Sequence, residues 1–311
     1  MFNSPKVTSQ KITFQPIRNI ALGLVTALTL GIPSVTALEV GVSPPRFEVE
    51  INKKQRSQSF KVKNFAKKPV EMRAYVHSWI LDEKNQVKVV ESTEQTLDQW
   101  IVFTPSRFTI PAGGEQTIRF AIRPKVKPNS GEHRAILYLE EVARAKNNTK
   151  SVVTIARLGV VIYAYSGEVK RVGTLNSISV DTKDDGTAAA LFDVSSEGNA
   201  HVRIKGQYAI WKAEQYPGAE ATERIENLGK SKSQLPANIV NAGVIQINPI
   251  LPSTRRQLEL PIPKKLPPGK YILDINGDLS GVPLDKGIPF TVPAVSNNPS
   301  KQKQSLTSLT Q

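Results

Sequence analysis

Apolar and polar residues alternate along most of this chain with the period of two that is typical of half-buried β-strands. The clearest case lies in residues 101–124, where Ile118, Phe120 and Ile122 alternate with polar residues. The segment Pro111–Gly114 precedes this run and has the composition of a turn, since glycine accepts positive φ and proline fixes its own φ. We therefore predict a strand, a turn and a half-buried antiparallel strand here.

Segments of the same kind lie on both sides of that stretch. They are Phe47–Ile51, Phe60–Lys63, Val70–Ile80 and His133–Val142. The run Val152–Tyr165 is apolar at nearly every residue, which predicts either a strand buried on both faces or a strand that offers one face to a partner. About seven short strands over this length predict an immunoglobulin-like sandwich.

A second set of short strands follows Ser166–Glu168, where we place a linker. Its predicted strands are Ala188–Val194, Val202–Ile210, Val244–Ile250, Gln257–Leu260, Tyr271–Ile275 and Phe290–Val292. The polar segment Glu214–Gln234 is interpreted as a long loop or insertion. We therefore predict an all-β fold with two immunoglobulin-like β-sandwich domains after a signal peptide, at residues 38–167 and 168–293. Residues 294–311 lack an apolar face and are predicted to form a disordered tail.

The N-terminal 37 residues have the pattern of a secretory signal. They contain three basic and no acidic residues, and Ile20–Ile32 is an apolar stretch too short to span a bilayer comfortably. Val35–Ala37 offers small residues for cleavage after Ala37. We expect an exported, periplasmic protein; the alternative is an uncleaved membrane anchor.

Composition excludes several kinds of chemistry. The chain has no cysteine, which excludes thiol nucleophiles, disulfides and thiolate metal sites. Its formal net charge is +14, of which +11 remains after the N-terminal segment, and we interpret this as a solvated basic surface. Basic residues such as Lys61, Lys63 and Arg119 alternate with apolar ones along strands. They do not cluster with aromatic residues, so nucleic acid is not expected as the main partner.

The positions of the histidines and acidic residues in the sequence do not match those of a known catalytic or metal-binding motif. His77 and His201 lie on predicted polar faces, where a solvated imidazole is expected, and His133 is far from both in sequence. The acidic pairs Glu140–Glu141 and Asp184–Asp185 are adjacent in sequence, so their side chains point to opposite faces of a strand. No nucleophile, phosphate-loop or zinc motif occurs. We expect no enzyme, no cofactor and no small-molecule substrate.

Four segments, in order and spacing, carry a resemblance to a known family. They are VSPPRFEVEI (42–51), KVKNFAKKPVEMRAYV (61–76), IVFTPSRFTIPAGGEQTIRFAIRP (101–124) and HRAILYLEEV (133–142). Together they resemble the periplasmic pilus-assembly (PapD-like) chaperones over Leu38 to Gly167. Residues 251–273 of the second half show a weaker resemblance to the later immunoglobulin-like domain of chaperone-like surface proteins.

The resemblance implies a function that uses strand addition. In that family the chaperone lends an apolar strand to a pilin subunit that lacks its last strand, which covers an otherwise open sheet edge. The lending strand corresponds to residues 152–163, and Val152, Val153 and Ile155 are candidates for the lent apolar side chains. Ordinary core between the two sheets is the alternative for these three residues.

The resemblance also implies an anchor for the C-terminal carboxylate of the subunit, made by an arginine near the start of the chain and a lysine on the lending strand. The arginine corresponds to Arg46; an exposed arginine at a strand end is the alternative. The lysine position falls near Gly159, and the nearest cation is Arg157, two residues earlier on the same strand face. Either Arg157 substitutes for the lysine or the anchor is absent in this chain.

The sequence thus yields two functional hypotheses. The first is a periplasmic chaperone-like protein that binds incomplete pilus or surface subunits, with pilin-like subunits and an outer-membrane usher as its partners. The second is an exported envelope or surface adhesion protein that uses the same sandwich as a static binding module.

Overall fold

The computed structural model describes residues 39–51, 57–142, 157–229 and 235–294. The described chain is built almost wholly from β-strands. The strands are β1 Val40–Ser43, β2 Arg46–Glu50, β3 Gln58–Asn64, β4 Val70–His77, β5 Trp79–Leu81, β6 Val87–Val89, β7 Ile101–Thr104, β8 Arg107–Ile110, β9 Glu115–Ile122, β10 Gly131–Glu141, β11 Arg157–Ser166, β12 Gly173–Thr182, β13 Ala188–Ser196, β14 Ile204–Lys212, β15 Ile239–Val244, β16 Thr254–Ile262, β17 Gly269–Leu279 and β18 Val282–Val292. Single 3-10 turns occur at Leu97–Gln99, Ala213–Gln215 and Ala219–Ala221.

Strands β1 to β11, here called the first half, form two main sheets that share one apolar core. The four-stranded sheet has the order β1-β3-β9-β7 and the five-stranded sheet the order β2-β11-β10-β4-β8. Fully buried residues from both sheets meet between them, among them Phe60, Ile118, Phe120, Leu137 and Ile162. The inward positions are the apolar members of the alternating pattern, because burial of apolar surface selects the face that meets the other sheet.

The stretch from 101 to 124 joins the two sheets. Strand β9 pairs with β3 and β7 in the four-stranded sheet, whereas β8 pairs with β4 in the five-stranded sheet. The turn at residues 111–114 therefore carries the chain from one sheet to the other and does not close a hairpin. Gly113 has a φ of +68°, a conformation that glycine adopts without steric cost.

Asn64 ties this turn to the end of β3. Its side chain is fully buried, its Nδ2 donates to the carbonyl oxygens of Lys68, Ile110 and Pro111, and its Oδ1 accepts from the N–H of Ala66. One amide thus bonds to four backbone groups around the turn, and those of Ala66 and Ile110 are buried and would otherwise lack this partner.

We predict that Asn64→Ala lowers the free energy of unfolding by about 1–3 kcal/mol, because it leaves buried backbone groups without hydrogen bonds. Urea unfolding followed by circular dichroism measures this change. The exposed Asn176 bonds only to side chains, so Asn176→Ala is the matched control and should change stability by less than about 0.5 kcal/mol. Equal effects of the two substitutions would contradict the role given to Asn64.

Strands β12 to β18, here called the second half, form a second sandwich. A three-stranded sheet of order β12-β13-β16 packs on a four-stranded sheet of order β15-β14-β17-β18. Phe192, Ile210, Leu273 and Ile275 lie fully buried in its core. The all-β fold class and its two sandwiches are therefore confirmed.

Two strands of the second half differ from the sequence prediction. Strand β12 was not predicted, because its polar residues give no clear alternation. The strand predicted at 244–250 is instead β15, which ends at Val244. Pro249 lacks the N–H that a ladder needs, and Ile250 forms only an isolated bridge with Val202.

Several predictions lie outside the described residues. These are the signal segment 1–37, the candidates Val152, Val153 and Ile155, residues 230–234 of the predicted loop and nearly all of the tail. The described part of the chain contains no helix of the length and apolar character that crossing a bilayer requires.

Candidate functional site

The outer edge of β11 is only partly covered. Strand β10 pairs with β11 along its length, but β2 pairs with it in parallel only from Val161 to Tyr165. The N–H of Val161 donates to the carbonyl of Pro45 at 3.0 Å, so Val161 points its backbone groups toward β2. The direction of the backbone N–H and C=O groups alternates from one residue to the next along a strand. The backbone groups of Arg157 and Gly159 therefore point to the same side as those of Val161. No described strand pairs with that side before Val161, which leaves a short open edge.

Arg46 lies where β2 begins, beside the end of that open edge. It is the register partner of Val161, and about half of its side chain is exposed (48%). Its Nε lies 3.5 Å from Oε1 of Glu48 on the same strand face. Arg46 therefore stands at the boundary between the covered and uncovered parts of β11, with its charge partly balanced by a neighbour.

Arg157 lies elsewhere on the sheet. Its guanidinium covers the ring of Tyr138 at 4.8 Å from the ring centre, and a hydrogen bond with Tyr75 is the main factor that raises its pKa. Arg157 lies four positions before Val161, the partner of Arg46, which corresponds to roughly 13 Å of strand. The structure does not bring the two arginines together, and the anchor role of Arg157 stays a prediction.

Gly159 is held by close packing against β10. A Cβ atom added there would lie 2.9 Å from Cγ2 of Ile136, so a larger residue requires the side chain of Ile136 or one of the two strands to shift. The neighbouring ring of Tyr138 would lie at 3.6 Å. This packing gives a physical reason why the position carries no lysine in this chain.

A buried charged network joins the two halves at the other end of β11, where Glu132 is the register partner of Tyr165. Glu132 of β10 has a fully buried side chain, and its Oε2 lies 2.5 Å from Nδ1 of His201 in the second half. The backbone N–H of His201 donates to the same oxygen at 2.9 Å, and Nη1 of Arg134 donates to Oε1 at 2.8 Å. The carboxylate is therefore satisfied by groups from both halves.

The prediction for His201 is wrong. The sequence pattern placed it on a solvated polar face, but its side chain is only 3% exposed. Alternation along a strand identifies the face of a side chain but not what covers that face, and here the first half covers it. Glu132 and its neighbour Arg134 were not predicted at all; their signal is a charged pair at the start of an apolar strand.

Glu132 is ionised at neutral pH despite its burial. Burial alone raises the pKa of this carboxyl, but the hydrogen bonds that it accepts from His201 and Arg134 outweigh this effect. The net result is a pKa below the ordinary value of a glutamate. The carboxylate of Glu132 is therefore charged near neutral pH, and Arg134 is its ion-pair partner.

Arg203 extends the network toward the surface. Its Nε donates to Nε2 of His201 and its Nη2 donates to the hydroxyl of Tyr163, both at 3.1 Å. Since Nε2 of His201 accepts this bond, Nδ1 is the atom that donates to Glu132. Burial is the main cause that raises the pKa of Tyr163 to about 12, so its hydroxyl stays protonated.

An apolar cluster surrounds the same contact. Trp79, Tyr163 and Tyr165 of the first half pack with Ala200 and Leu251 of the second half. The ring of Tyr163 lies 4.3 Å from that of His201 and 6.0 Å from that of Trp79. Aromatic packing and the charged network therefore both connect the two halves around His201.

The hairpin of β5 and β6 makes a second contact between the halves. Arg256 of β16 donates to the carbonyl oxygens of Leu81 and Asp82, and Nδ2 of Asn85 donates to the carbonyl of Gln257 at 3.0 Å. Two separated contacts limit the relative motion of the halves in this structure.

A cavity of about 380 Å³ opens next to the network. Its charged lining residues are Glu48 of the first half and Arg171, Arg203, Lys205 and Asp278. Three cations against two acids give this cavity a positive formal charge. Within the described ranges no group of three or more potential ligands could hold a metal ion.

Comparison with known proteins agrees with the resemblance stated above. The family model described as "Pili and flagellar-assembly chaperone, PapD N-terminal domain" matches residues 41–160. A search of curated proteins finds no match.

Solved structures of fimbrial chaperones show a distant similarity. A structure titled as a chaperone–tip adhesin complex of CFA/I fimbriae biogenesis is 16% identical, with 83% of this chain and 100% of that chain covered and a TM-score of 0.39. The CsuC–CsuE chaperone–tip adhesion subunit complex of Acinetobacter baumannii is 14% identical, with 80% and 97% covered and a TM-score of 0.40. The E. coli chaperone DraB is 11% identical, with 80% and 94% covered and a TM-score of 0.39.

At these TM-scores the solved structures are only distantly similar to this chain. Its fold is described by its own strand pairing. The family match is independent of those structures and includes the start of β11, the edge described above. Residues 41–160 of this chain are therefore similar in sequence to the PapD N-terminal domain of the pili and flagellar-assembly chaperones.

Proposed function

We propose that this protein is a periplasmic chaperone-like protein that binds incomplete pilus or surface subunits by β-strand addition. The observation that carries the proposal is the open outer edge of β11 at Arg157 and Gly159, in a domain that matches a chaperone family. Unpaired N–H and C=O groups on a sheet edge form a template for another strand.

The position of β2 limits where an added strand can end. Strand β2 occupies the outer side of β11 from Val161 onward, so a strand added before this point must stop near Pro45 and Arg46. A carboxylate at that end is favoured by the charge of Arg46, and burying it requires charge-assisted donors. A strand that ends there with its C-terminus runs in the same direction as β11. Arg46 is thus proposed as one anchor of the subunit's C-terminal carboxylate.

The rest of the proposal extends the same idea. Val152, Val153 and Ile155 precede the open edge and are proposed as the apolar side chains lent to the subunit. The partners are pilin-like subunits and an outer-membrane usher, the protein acts without catalysis or a cofactor, and export through residues 1–37 places it in the periplasm. We also propose that residues 166–168 link two domains.

We predict that Arg157→Pro weakens binding of a strand-forming peptide about tenfold relative to Arg157→Ala. Both substitutions remove the side chain, but only proline removes the outward N–H, which is expected to contribute about 1–2 kcal/mol to the added ladder. The probe is a nine-residue peptide of alternating valine and threonine with a free C-terminal carboxylate, and isothermal titration calorimetry measures its affinity.

The alanine variant is the matched control for the proline variant. Circular dichroism and urea unfolding establish that both variants fold, since proline is tolerated at the start of an edge strand. Equal affinities of the two variants would contradict strand addition at β11 and favour the static adhesion module.

A further inference from the structure

We infer that the second half supplies the second cation of the carboxylate site, through Arg203 with Lys205, in place of a cation on β11. This inference rests on the proposed function and deepens it. It assigns the C-terminal carboxylate of an added strand to a cavity shared by both halves.

The cavity brings charged residues of both halves to one place. Arg171, Arg203 and Lys205 of the second half line it together with Glu48 of the first half. The Oε1 of Glu48 lies 3.5 Å from Nε of Arg46, and its Oε2 accepts a hydrogen bond from the hydroxyl of Tyr165 at 3.1 Å. Arg46 is therefore an immediate neighbour of a residue that lines the cavity.

Arg203 is oriented before any ligand arrives. Its backbone N–H donates to Oγ of Ser280 at 3.0 Å, and its side chain donates through Nε to His201 and through Nη2 to Tyr163. Among the described residues, its Nη1 has no hydrogen-bond partner. A guanidinium held at two nitrogens with a third available loses little conformational entropy when it binds an anion.

Lys205 and Arg171 add positive charge without being committed to an ion pair. Within the part of the chain that the structure describes, neither forms a salt bridge. The guanidinium of Arg171 lies over the ring of Tyr165 at 4.6 Å, which fixes it at the cavity wall. Both side chains therefore favour an anion in the cavity.

Strand β11 itself does not provide this charge. Gly159 is packed too closely against Ile136 to accept a long side chain, and Arg157 lies over Tyr138. The residue opposite Arg46 is the apolar Val161. Arg134 of the first half is paired with Glu132, so the cations that line the cavity without an ion pair to a described residue, Arg203 among them, come from the other half of the molecule.

The arrangement gives Glu48 a definite role. Its carboxylate now occupies the position beside Arg46 and competes with an incoming carboxylate, as two anions in one site repel each other. A bound subunit terminus would replace Glu48 as the partner of Arg46 and would bridge the two halves through Arg203.

The test compares two peptides that differ only at the C-terminus. The peptide of alternating valine and threonine is prepared as the free acid and as the amide, and calorimetry measures the affinity of each for the full chain. We expect the acid to bind at least about tenfold more tightly than the amide to the wild-type protein. Lys205→Ala should reduce the ratio of acid affinity to amide affinity about threefold, and Glu48→Gln should increase this ratio. Lys270→Ala, an exposed lysine of β17 outside the cavity, should leave the ratio unchanged.

Arg203 requires a conservative variant because it also contacts the junction. Arg203→Lys keeps one positive charge but loses the planar donor set, and we expect the ratio to fall about fivefold with little change in amide binding. A loss of amide binding to the same extent would indicate a disturbed junction and would contradict a specific role for Arg203.

The outcomes separate this inference from the proposed function. Equal affinities of acid and amide, with weaker binding still seen for Arg157→Pro, would overturn the carboxylate site and leave strand addition standing. Failure of both peptides to bind would contradict both proposals. Displacement of the acid peptide by inorganic phosphate at equal concentration would show a general anion site and would also overturn the assignment.

Discussion

Replacing Glu132 with alanine is expected to lower the free energy of unfolding by about 3–5 kcal/mol, because it removes the one anion of a buried network that joins the two halves. His201 and Arg134 would lose their hydrogen-bond acceptor in a place with little access to water. Urea unfolding followed by tryptophan fluorescence measures the change, since Trp79 lies at the junction. Glu91 is exposed, so Glu91→Ala is the control and should change stability by less than about 0.5 kcal/mol.

The same carboxylate predicts a dependence of stability on pH. The folded-state pKa of Glu132 lies below its ordinary value, which is about 4.3 for the unfolded chain. Its contribution is therefore fully present above about pH 4.3 and is lost as pH falls through the lower folded-state pKa. Glu132→Gln keeps the shape of the side chain but cannot ionise, so the stability of this variant should lack the loss that Glu132 causes at acid pH. A wild-type pH profile that matches the Glu132→Gln profile between pH 5 and 3 would contradict the ionised state of Glu132.

The second large effect is expected at Tyr163. Tyr163→Ala should lower the free energy of unfolding by about 3–5 kcal/mol, because the ring is 2% exposed and packs between Trp79 and His201. Tyr163→Phe keeps the ring and removes only the hydroxyl that accepts a hydrogen bond from Arg203. We therefore expect it to lower the free energy of unfolding by about 1 kcal/mol. Thermal and urea unfolding of the two variants separate packing from hydrogen bonding.

Glu132 and Tyr163 both contact His201, so their substitutions should not be additive. We expect the double variant Glu132→Ala/Tyr163→Ala to lose less stability than the sum of the two single variants. Full additivity would mean that the charged network and the aromatic cluster act separately, contrary to the single junction described here.

Much of the fold follows from local patterns in the sequence. The buried positions of β3 and β9, such as Phe60 and Ile118, are the apolar members of a period-two alternation, so pattern and burial agree. The turn before β9 also follows from composition, because Gly113 adopts a conformation that suits glycine. Strand β12 has no such pattern, and its place in a sheet depends on its pairing with β13.

The candidate site was less accessible to sequence reasoning. Arg46 was identified through a family resemblance, and the structure places it beside the edge of β11. Glu132, Arg203 and Tyr163 were missed because they come from strands far apart in sequence. Their polar atoms meet only after the two halves pack together, and no local spacing predicts such a meeting.

The sequence by itself determined that this chain forms β-strands, which side chains of most strands face a core, and that residues 41–160 resemble a PapD-like domain. These properties depend on residues close together along the chain and on the period of the strand. Only the tertiary structure decided which strand edge stays open, that His201 is buried, and that charged residues from both halves line one cavity. Those features depend on which sheet or half covers a given face, and that is set by packing between residues distant in sequence.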